Sequence, residues 1–336
     1  MPEPSIYQFA SATMKTIVAR LVELASVSHE FNSPDEAIWQ DEEATQLLLC
    51  GKGIHISAIP PVSARRAVWL SRAAIDYDLE NAATQLLYQE LARFTDDMIT
   101  CAFQQTNGLQ DVTPEWICQN PQFLPIIMHA TGTFSKQQLK KIVGNVSDKR
   151  VSKPAAARIV DLLRSSAATL ASEVQVAERL KATVEGIVRD LVGRMLLETF
   201  VGSGLDRAGV PYRRERDYAA LQGVVYDFRA DFVIPNENEP KAFIEVRKSS
   251  ERHASLYAKD KMFSAINWKG RHADCLGILV VHGPWTAASL HILTKVFDYV
   301  VPVSKVPEVA QLVRQYLEGD TSVLRWLITF RIDPHH

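Results

Sequence analysis

The segment DFRADFVIPNENEPKAFIEVRKSS, residues 227–250, places carboxylates inside two apolar runs. Asp227 and Asp231 sit in the first run, Glu245 in the second, and Arg247 follows two residues after Glu245. Side chains alternate across a strand. Asp227, Arg229 and Asp231 are therefore predicted to share one face. Phe243, Glu245 and Arg247 share one face of the second run, and Ile244, Val246 and Lys248 point the other way. A hairpin in the right register brings Asp231 and Glu245 together near one sheet edge. Two carboxylates at one point repel, and a divalent cation resolves the repulsion. Oxygen-only ligation favours Mg2+, which keeps several of its waters. Held there, it can polarise a phosphoryl oxygen, lower the pKa of a water and orient it for in-line attack. A cationic side chain two residues past the Glu would lie beside that water or the scissile phosphate. Plainer roles fit the same residues: edge charges that deter aggregation, or a cross-strand ion pair.

The elements that must position these residues are readable from periodicity. After a long helix over about 173–209 come an extended VPYRR, a strand in GVVYDFRADFVIP and a strand in KAFIEVRK. A helix in HASLYAKDKMFSAINWKG, a strand in CLGILVVHG, a helix in TAASLHILTKV, a strand in FDYVVPVS and a helix in VPEVAQLVRQYLEG follow. LGILVV and FDYVVPV are continuous apolar runs, as expected of strands covered on both faces. The order α-β-β-β-α-β, then α-β-α, predicts an α/β fold with a mixed sheet between helices.

The first half reads helical. Apolar residues recur at helical spacing over 7–29 and again over 35–50. Two helices are expected over 64–106, with Trp69, Leu70, Ile75, Leu79, Leu86, Leu87, Leu91 and Phe94 as core candidates. The stretch 134–166 is basic, with Lys136, Lys140, Lys141, Lys149, Arg150, Lys153, Arg158 and Arg164 against Asp148 and Asp161. Ser135 and Ser152 are placed to cap two helices, with Pro154 in the first turn of the second. Helix, turn and basic helix together suit phosphate contact. The expected organisation is a helical, acidic region over 1–130, a basic helical segment over 131–172 and an α/β domain over 173–336.

The chain of 336 residues has a net charge of −2 that hides an asymmetry. Residues 1–120 carry 16 Asp and Glu against 7 Lys and Arg, and the remainder carries 23 against 30. The basic half is the one suited to a polyanion. The four cysteines are scattered without metal-ligand spacing. The apolar runs are too short to cross a bilayer and the start lacks a signal-peptide pattern, so a cytoplasmic protein is expected. There is no GxxxxGK[ST], no GxGxxG after a strand, no HExxH and no nucleophile elbow. GSGLDRAG, 202–209, closes a helix rather than opening one.

Residues 185–303 resemble the PD-(D/E)XK nuclease superfamily, most closely its type II restriction endonucleases. The likeness rests on the element order, on Asp231 in RADFVIP and on Glu245 in IEVRK, which match the family's metal-binding acids. Arg247 stands where the family usually has Lys, and Ala230 where it has Pro. The resemblance implies a restriction-endonuclease-like core and a Mg2+-dependent, sequence-specific, type II site-specific deoxyribonuclease acting on double-stranded DNA. It implies metal ligation by Asp231, Glu245 and an upstream helical acid, Glu198, with Glu185 second. It also implies a homodimer and a cognate DNA methyltransferase in the same system. A guanidinium cannot serve as a general base but binds phosphate in a fork. The cation is thus open between Arg247, one of Lys248, Lys259 or Lys261, and no catalytic cation at all. The expected catalytic set is Asp231, Glu245, Arg247 and Lys248. The expected DNA contacts are Lys149, Arg150, Lys153, Arg158, His253 and Lys259. A repair or mobile-element nuclease on the same fold, or an inactive DNA-binding protein, would share these features.

If the basic segment meets DNA, replacing Lys149, Arg150 and Lys153 together with Ala weakens binding to all sequences alike. It also lowers the slope of log affinity against log salt by about one per lost phosphate contact. Fluorescence anisotropy titrations at several salt concentrations measure this, and an unchanged slope moves the contact surface elsewhere.

Overall fold

Periodic apolar stripes become elements in the computed structural model, which describes residues 4–328. Among the described residues there are twelve α-helices, one five-stranded mixed sheet and two two-stranded sheets. None of these helices is long and apolar enough to cross a membrane. The chain divides into two compact units: residues up to 17 with 46–194, and 18–45 with 195 onward.

The first unit is mainly helical. It draws on the first part of α1 (Ile6–Val27), the later part of α2 (Glu42–Gly51), α3 (Val62–Ser71), α4 (Leu79–Gln105), α5 (Pro114–Gln119), α6 (Leu124–Ala130) and α7 (Lys136–Val143). A hairpin of β1 (Val146–Ser147) and β2 (Arg150–Val151), α8 (Lys153–Ser165) and part of α9 (Glu173–Arg207) complete it. Asp78 caps α4, accepting from the Asn81 N–H at 2.9 Å, and α4 buries Leu79, Leu86, Leu87, Leu91 and Met98. Leu70 and Ile75, expected in the core, are exposed. Helix α3 stops at Ser71, so Leu70 sits in its last turn and Ile75 in the connection, on no buried face.

In the basic segment, Ser135 caps α7 as expected, accepting from the Gln138 N–H at 3.1 Å. Ser152 stands at the N-cap of α8 but its side chain makes no capping bond. Pro154 lies in the first turn, where a missing N–H costs nothing. The expected turn between the helices is the β1–β2 hairpin. Ala155, Ala156, Ile159, Val160 and Leu163 form the buried stripe of α8, which leaves Lys153 and Arg158 exposed.

The second unit holds the mixed sheet. Its chain order is β3 (Arg213–Arg214), a small separate hairpin of β4 (Leu221–Gln222) and β5 (Asp227–Phe228), then β6 (Phe232–Ile234) and β7 (Ala242–Lys248). Next come α10 (Ala254–Arg271), β8 (Leu276–His282), α11 (Ala287–Leu293), β9 (Tyr299–Pro302) and α12 (Val306–Leu317). The sheet order is β3-β6-β7-β8-β9. β3, β6 and β7 pair antiparallel, and β7, β8 and β9 pair parallel. The parallel step from β7 to β8 needs a crossover, and α10 supplies it.

The sheet buries side chains on both faces. Val233, Phe243, Leu279 and Val281 join Ala258, Ala265 and Trp268 of α10 in one cluster. The alternate residues Phe232, Ile234, Ile244, Ile278 and Val280 are buried on the opposite face. Helix α12 presents Val306, Val309, Ala310 and Val313, a one-face stripe, to the interior.

One expectation is corrected here. GVVYDFRADFVIP does not run as one strand. The chain leaves the β4–β5 hairpin after Phe228 and enters the main sheet at Phe232. Between them the Ala230 carbonyl accepts from Tyr218 Oη at 2.8 Å, and the Asp231 carbonyl accepts from the Glu215 N–H at 3.0 Å. Alternation is broken there, so Asp227, exposed in its own hairpin, shares no strand face with Asp231. The partition at 130 and 172 differs from the compact units. The helical region and the basic segment fall mostly in one unit, while 18–45 belongs with the α/β unit. Contacts distant in sequence tie it there: Glu30 accepts from Ser304 Oγ at 3.0 Å and pairs with Lys305 Nζ at 3.2 Å.

Lys269 and Asp298 form a fully buried ion pair. Asp298 also accepts from the Gly277 N–H at 2.7 Å and from the Arg325 and Trp326 N–H groups at 2.8 Å. Its carboxylate thus joins the end of α10, the start of β8 and the chain after α12. Lys269→Met leaves that carboxylate buried without its counter-charge and is expected to cost about 3–5 kcal/mol. The urea unfolding midpoint reads this directly; a loss below 1 kcal/mol would show that the pair behaves as a solvated one.

Candidate active site

The antiparallel register Phe232↔Ile244, continued by one step, sets Asp231 opposite Glu245. The backbone N–H of Val246 donates to Asp231 Oδ2 at 2.7 Å. Glu245 is 1 % exposed in the middle of the sheet. Its Oε2 accepts from Lys261 Nζ at 2.6 Å, and its Oε1 is buried and has no hydrogen-bond partner. The hairpin therefore converges its two acids as the alternation pattern predicts, with a lysine of the following helix against them.

The reason is a match of two repeats. Glu245 and Arg247, two strand residues apart, are separated by about 6.6 Å. One turn of helix, four residues, advances about 6 Å. Helix α10 lies over this face, so Tyr257 meets Arg247 and Lys261 meets Glu245. Farther along the helix in the same direction, Trp268 meets Phe243, with ring centroids 5.1 Å apart. Lys259, two residues from Lys261, points to solvent. Lys248 faces away from Glu245 by alternation and is exposed at the strand end.

Arg247 shares the Glu245 face, as expected, but its guanidinium stacks on Tyr257, 4.1 Å from the ring centroid. Its Nε is buried without a hydrogen-bond partner. Of the lysines open as alternatives, the structure brings Lys261 to the acids. His253 is exposed at the N-cap of α10, its ring 5.9 Å from Tyr257. Lys149, Arg150, Lys153 and Arg158 are exposed residues of the other unit. Glu185 also belongs to that unit, and Glu198 to this one.

The electrostatics follow from burial. The Glu245 carboxyl is pushed up to about 8, first by desolvation, with Lys261 opposing and Asp231 adding to the rise. Asp231 is also raised by burial, against the Val246 N–H and the Lys261 charge. For Lys261, burial works to lower the pKa, but the charge and hydrogen bond of Glu245 outweigh it and the ammonium is held above its ordinary value. Glu198 is raised by desolvation and by Asp231, with Arg214 pulling it down.

Asp231 and Glu245 form an all-oxygen donor pair with an unused buried oxygen, which suits Mg2+, an ion commonly held by one or two carboxylates and water. Among the described residues no group of three or more His, Cys, Asp and Glu is close enough together to hold a metal ion. Glu198 is thus within electrostatic reach of the pair but does not complete a triad. Lys261 could have been singled out from the sequence by its spacing from Trp268 and Tyr257 on one helical face. That signal has meaning only once the helix is known to run over β7. Comparison with protein-family models, curated proteins and solved structures finds no match.

A carboxyl raised on folding holds its proton longer in the folded than in the unfolded state. Stability then falls as pH rises from the unfolded value to the folded one. For Glu245 that window runs from 4.5 to about 8. Metal-free protein is expected to lose stability across it, by up to about 1.4 kcal/mol per pH unit. Glu245→Gln flattens the dependence. Urea midpoints measured with chelator across the window check this, and a flat wild-type profile contradicts the raised pKa of the buried Glu245.

Proposed function

We propose that the chain is a Mg2+-dependent endonuclease of the PD-(D/E)XK kind that cleaves double-stranded DNA at specific sites. One observation carries this reading: Asp231, Glu245 and Lys261 meet where an antiparallel hairpin passes under the crossover helix of a mixed sheet. Apart from the inserted β4–β5 hairpin, the order α9, β3, β6, β7, α10, β8 is compatible with the α-β-β-β-α-β order expected of such a nuclease and supports the reading. Cutting both strands with one site per chain calls for two copies, and two-fold symmetry matches a palindromic target. A DNA methyltransferase in the same system belongs to this reading.

Asp231 and Glu245 would hold the ion, with Glu198 beyond them. Bound there, Mg2+ supplies a Lewis-acid charge on the phosphate and a water of lowered pKa. The chain's own residues do the positioning. The Val246 N–H fixes Asp231 Oδ2 and leaves its other oxygen for ligation. Lys261 fixes Glu245 Oε2 in the same way and leaves Oε1. The Lys261 ammonium partly offsets the two carboxylates before metal arrives, and afterwards presents positive charge beside the phosphate. Phosphoryl transfer depends chiefly on such positioning and charge. Arg247, stacked on Tyr257 one helical turn away, is set to steady a phosphate oxygen rather than to ligate.

Incubation of the full chain with a plasmid of known sequence and Mg2+ tests the reading. Discrete fragments are expected, a smear indicates a non-specific nuclease, and an intact plasmid refutes it. Asp231→Asn abolishes cleavage. Lys261→Ala loses about 2–4 kcal/mol of transition-state stabilisation, the scale for one donor in a preorganised site, and Arg247→Ala loses less. Single-turnover cleavage of an oligonucleotide duplex ranks the variants. A dead Arg247→Ala beside a near-normal Lys261→Ala would return the catalytic role to the arginine.

A further inference from the structure

At the edge strand β3 the second unit carries an open cleft of about 710 Å3 whose lining includes Tyr212, Arg213, Arg214 and Arg216, with Asp206 and Asp217. Both acids are engaged. Asp206 Oδ2 accepts from Tyr212 Oη at 3.3 Å, and Asp217 Oδ1 lies 3.8 Å from Arg216 Nε. Arg214 is held differently. Its guanidinium carbon lies 5.9 Å from the Tyr212 ring centroid and 5.8 Å from that of Phe232. On a third side, a Cβ added at Gly202 would come within 2.5 Å of its Nη2. Two rings and a glycine of α9 thus fix the guanidinium, and among the described residues no carboxylate forms an ion pair with it. An arginine preorganised in this way, hydrogen-bonded to the Tyr212 side chain on one side, has the rest of its donor fork open to an incoming anion, and the fork matches phosphate oxygens in pairs.

The cleft and the carboxylate pair share neighbouring backbone, with the Arg214 side chain on the Phe232 face of the sheet and Asp231 and Glu245 on the other. Arg214 is in register with Phe232, the residue after Asp231, and the Glu215 N–H donates to the Asp231 carbonyl. Because β3 ends the sheet, nothing in the ladder covers its outer side. Arg213 and Arg216, exposed on the same stretch, extend the positive line.

We propose that Arg214, with Arg213 and Arg216 along the cleft, binds a backbone phosphate of nucleic acid at the edge of the sheet. The choice of nucleic acid rests on the nuclease reading; the arginine site itself is tested without cleavage. The test is binding of the full chain to a fluorescent DNA duplex in Ca2+, by anisotropy, over a range of salt. Arg214→Ala is expected to weaken binding by about tenfold or more and to lower the salt slope by about one. Arg214→Lys keeps the charge but loses the fork, and falls between. Gly202→Ala keeps every charge yet displaces the guanidinium, so it weakens binding while far-UV circular dichroism stays that of the wild type. It also keeps the proposal testable if Arg214→Ala fails to fold. Wild-type affinity in folded Arg214→Ala and Gly202→Ala overturns the proposal, as does a wild type that binds no duplex. Site-specific cleavage with unaltered binding in these variants removes the cleft and leaves the nuclease reading. Weakened binding in a protein that cuts nothing removes the nuclease reading and leaves the cleft.

Discussion

Glu245 lies in the interior of a sheet whose two faces are both covered, and the arrangement of the α/β unit answers that burial. A carboxylate removed from water must be protonated, paired or ligated. Here β7 cannot discard it without exposing the strand, because its neighbours Phe243 and Ile244 are fully buried on opposite faces. The compensation comes from outside the strand. The antiparallel partner brings Asp231, and the crossover helix brings Lys261 with one ammonium on Oε2. What remains, one buried oxygen and one raised pKa, is an unfinished charge balance.

An unfinished balance is common where charge is put to use. A purely structural ion pair closes on itself, and the same unit contains one for comparison. Asp298 is equally buried, but it meets Lys269 and three backbone N–H groups, and both its oxygens are used. Glu245 has one donor, leaves an oxygen empty and sits beside a second acid. The contrast lies in how many donors each carboxylate receives at similar burial. A divalent cation between Asp231 and Glu245 would supply what the protein leaves out.

The break in the chain between β5 and β6 serves the same site. If the strand ran on through 229–231, Asp231 would continue the β4–β5 ladder. Instead, Tyr218 and the N–H of Glu215 take up the backbone carbonyls of Ala230 and Asp231, so the acid enters the sheet beside β7. The segment carrying Glu215 also carries Arg214 and Arg216, so the short edge strand and the turn after it set both the backbone of the acid and the line of guanidinium groups.

Much of this was legible in the sequence. Strand period placed Glu245 and Arg247 on one face and Lys248 on the other, because alternation is a local property of extended backbone. Helix period marked α4, α8, α10 and α12, and continuous apolar runs marked β8 as doubly covered. The pairing of Asp231 with Glu245 was inferable from a short loop joining two strands. Other features depended on contacts between residues far apart in the chain. Whether Lys259 or Lys261 reaches Glu245 is decided by how α10 lies across β7, and no residue of the helix encodes that alone. The strand break at 229–231 depends on Tyr218 and Glu215 finding carbonyls across a turn. The assignment of residues 18–45 to the α/β unit depends on Glu30 meeting Ser304 and Lys305, 274 positions away in the first case. Local backbone preference sets which residues share a face; only packing, which minimises buried uncompensated charge over the whole unit, decides which faces meet.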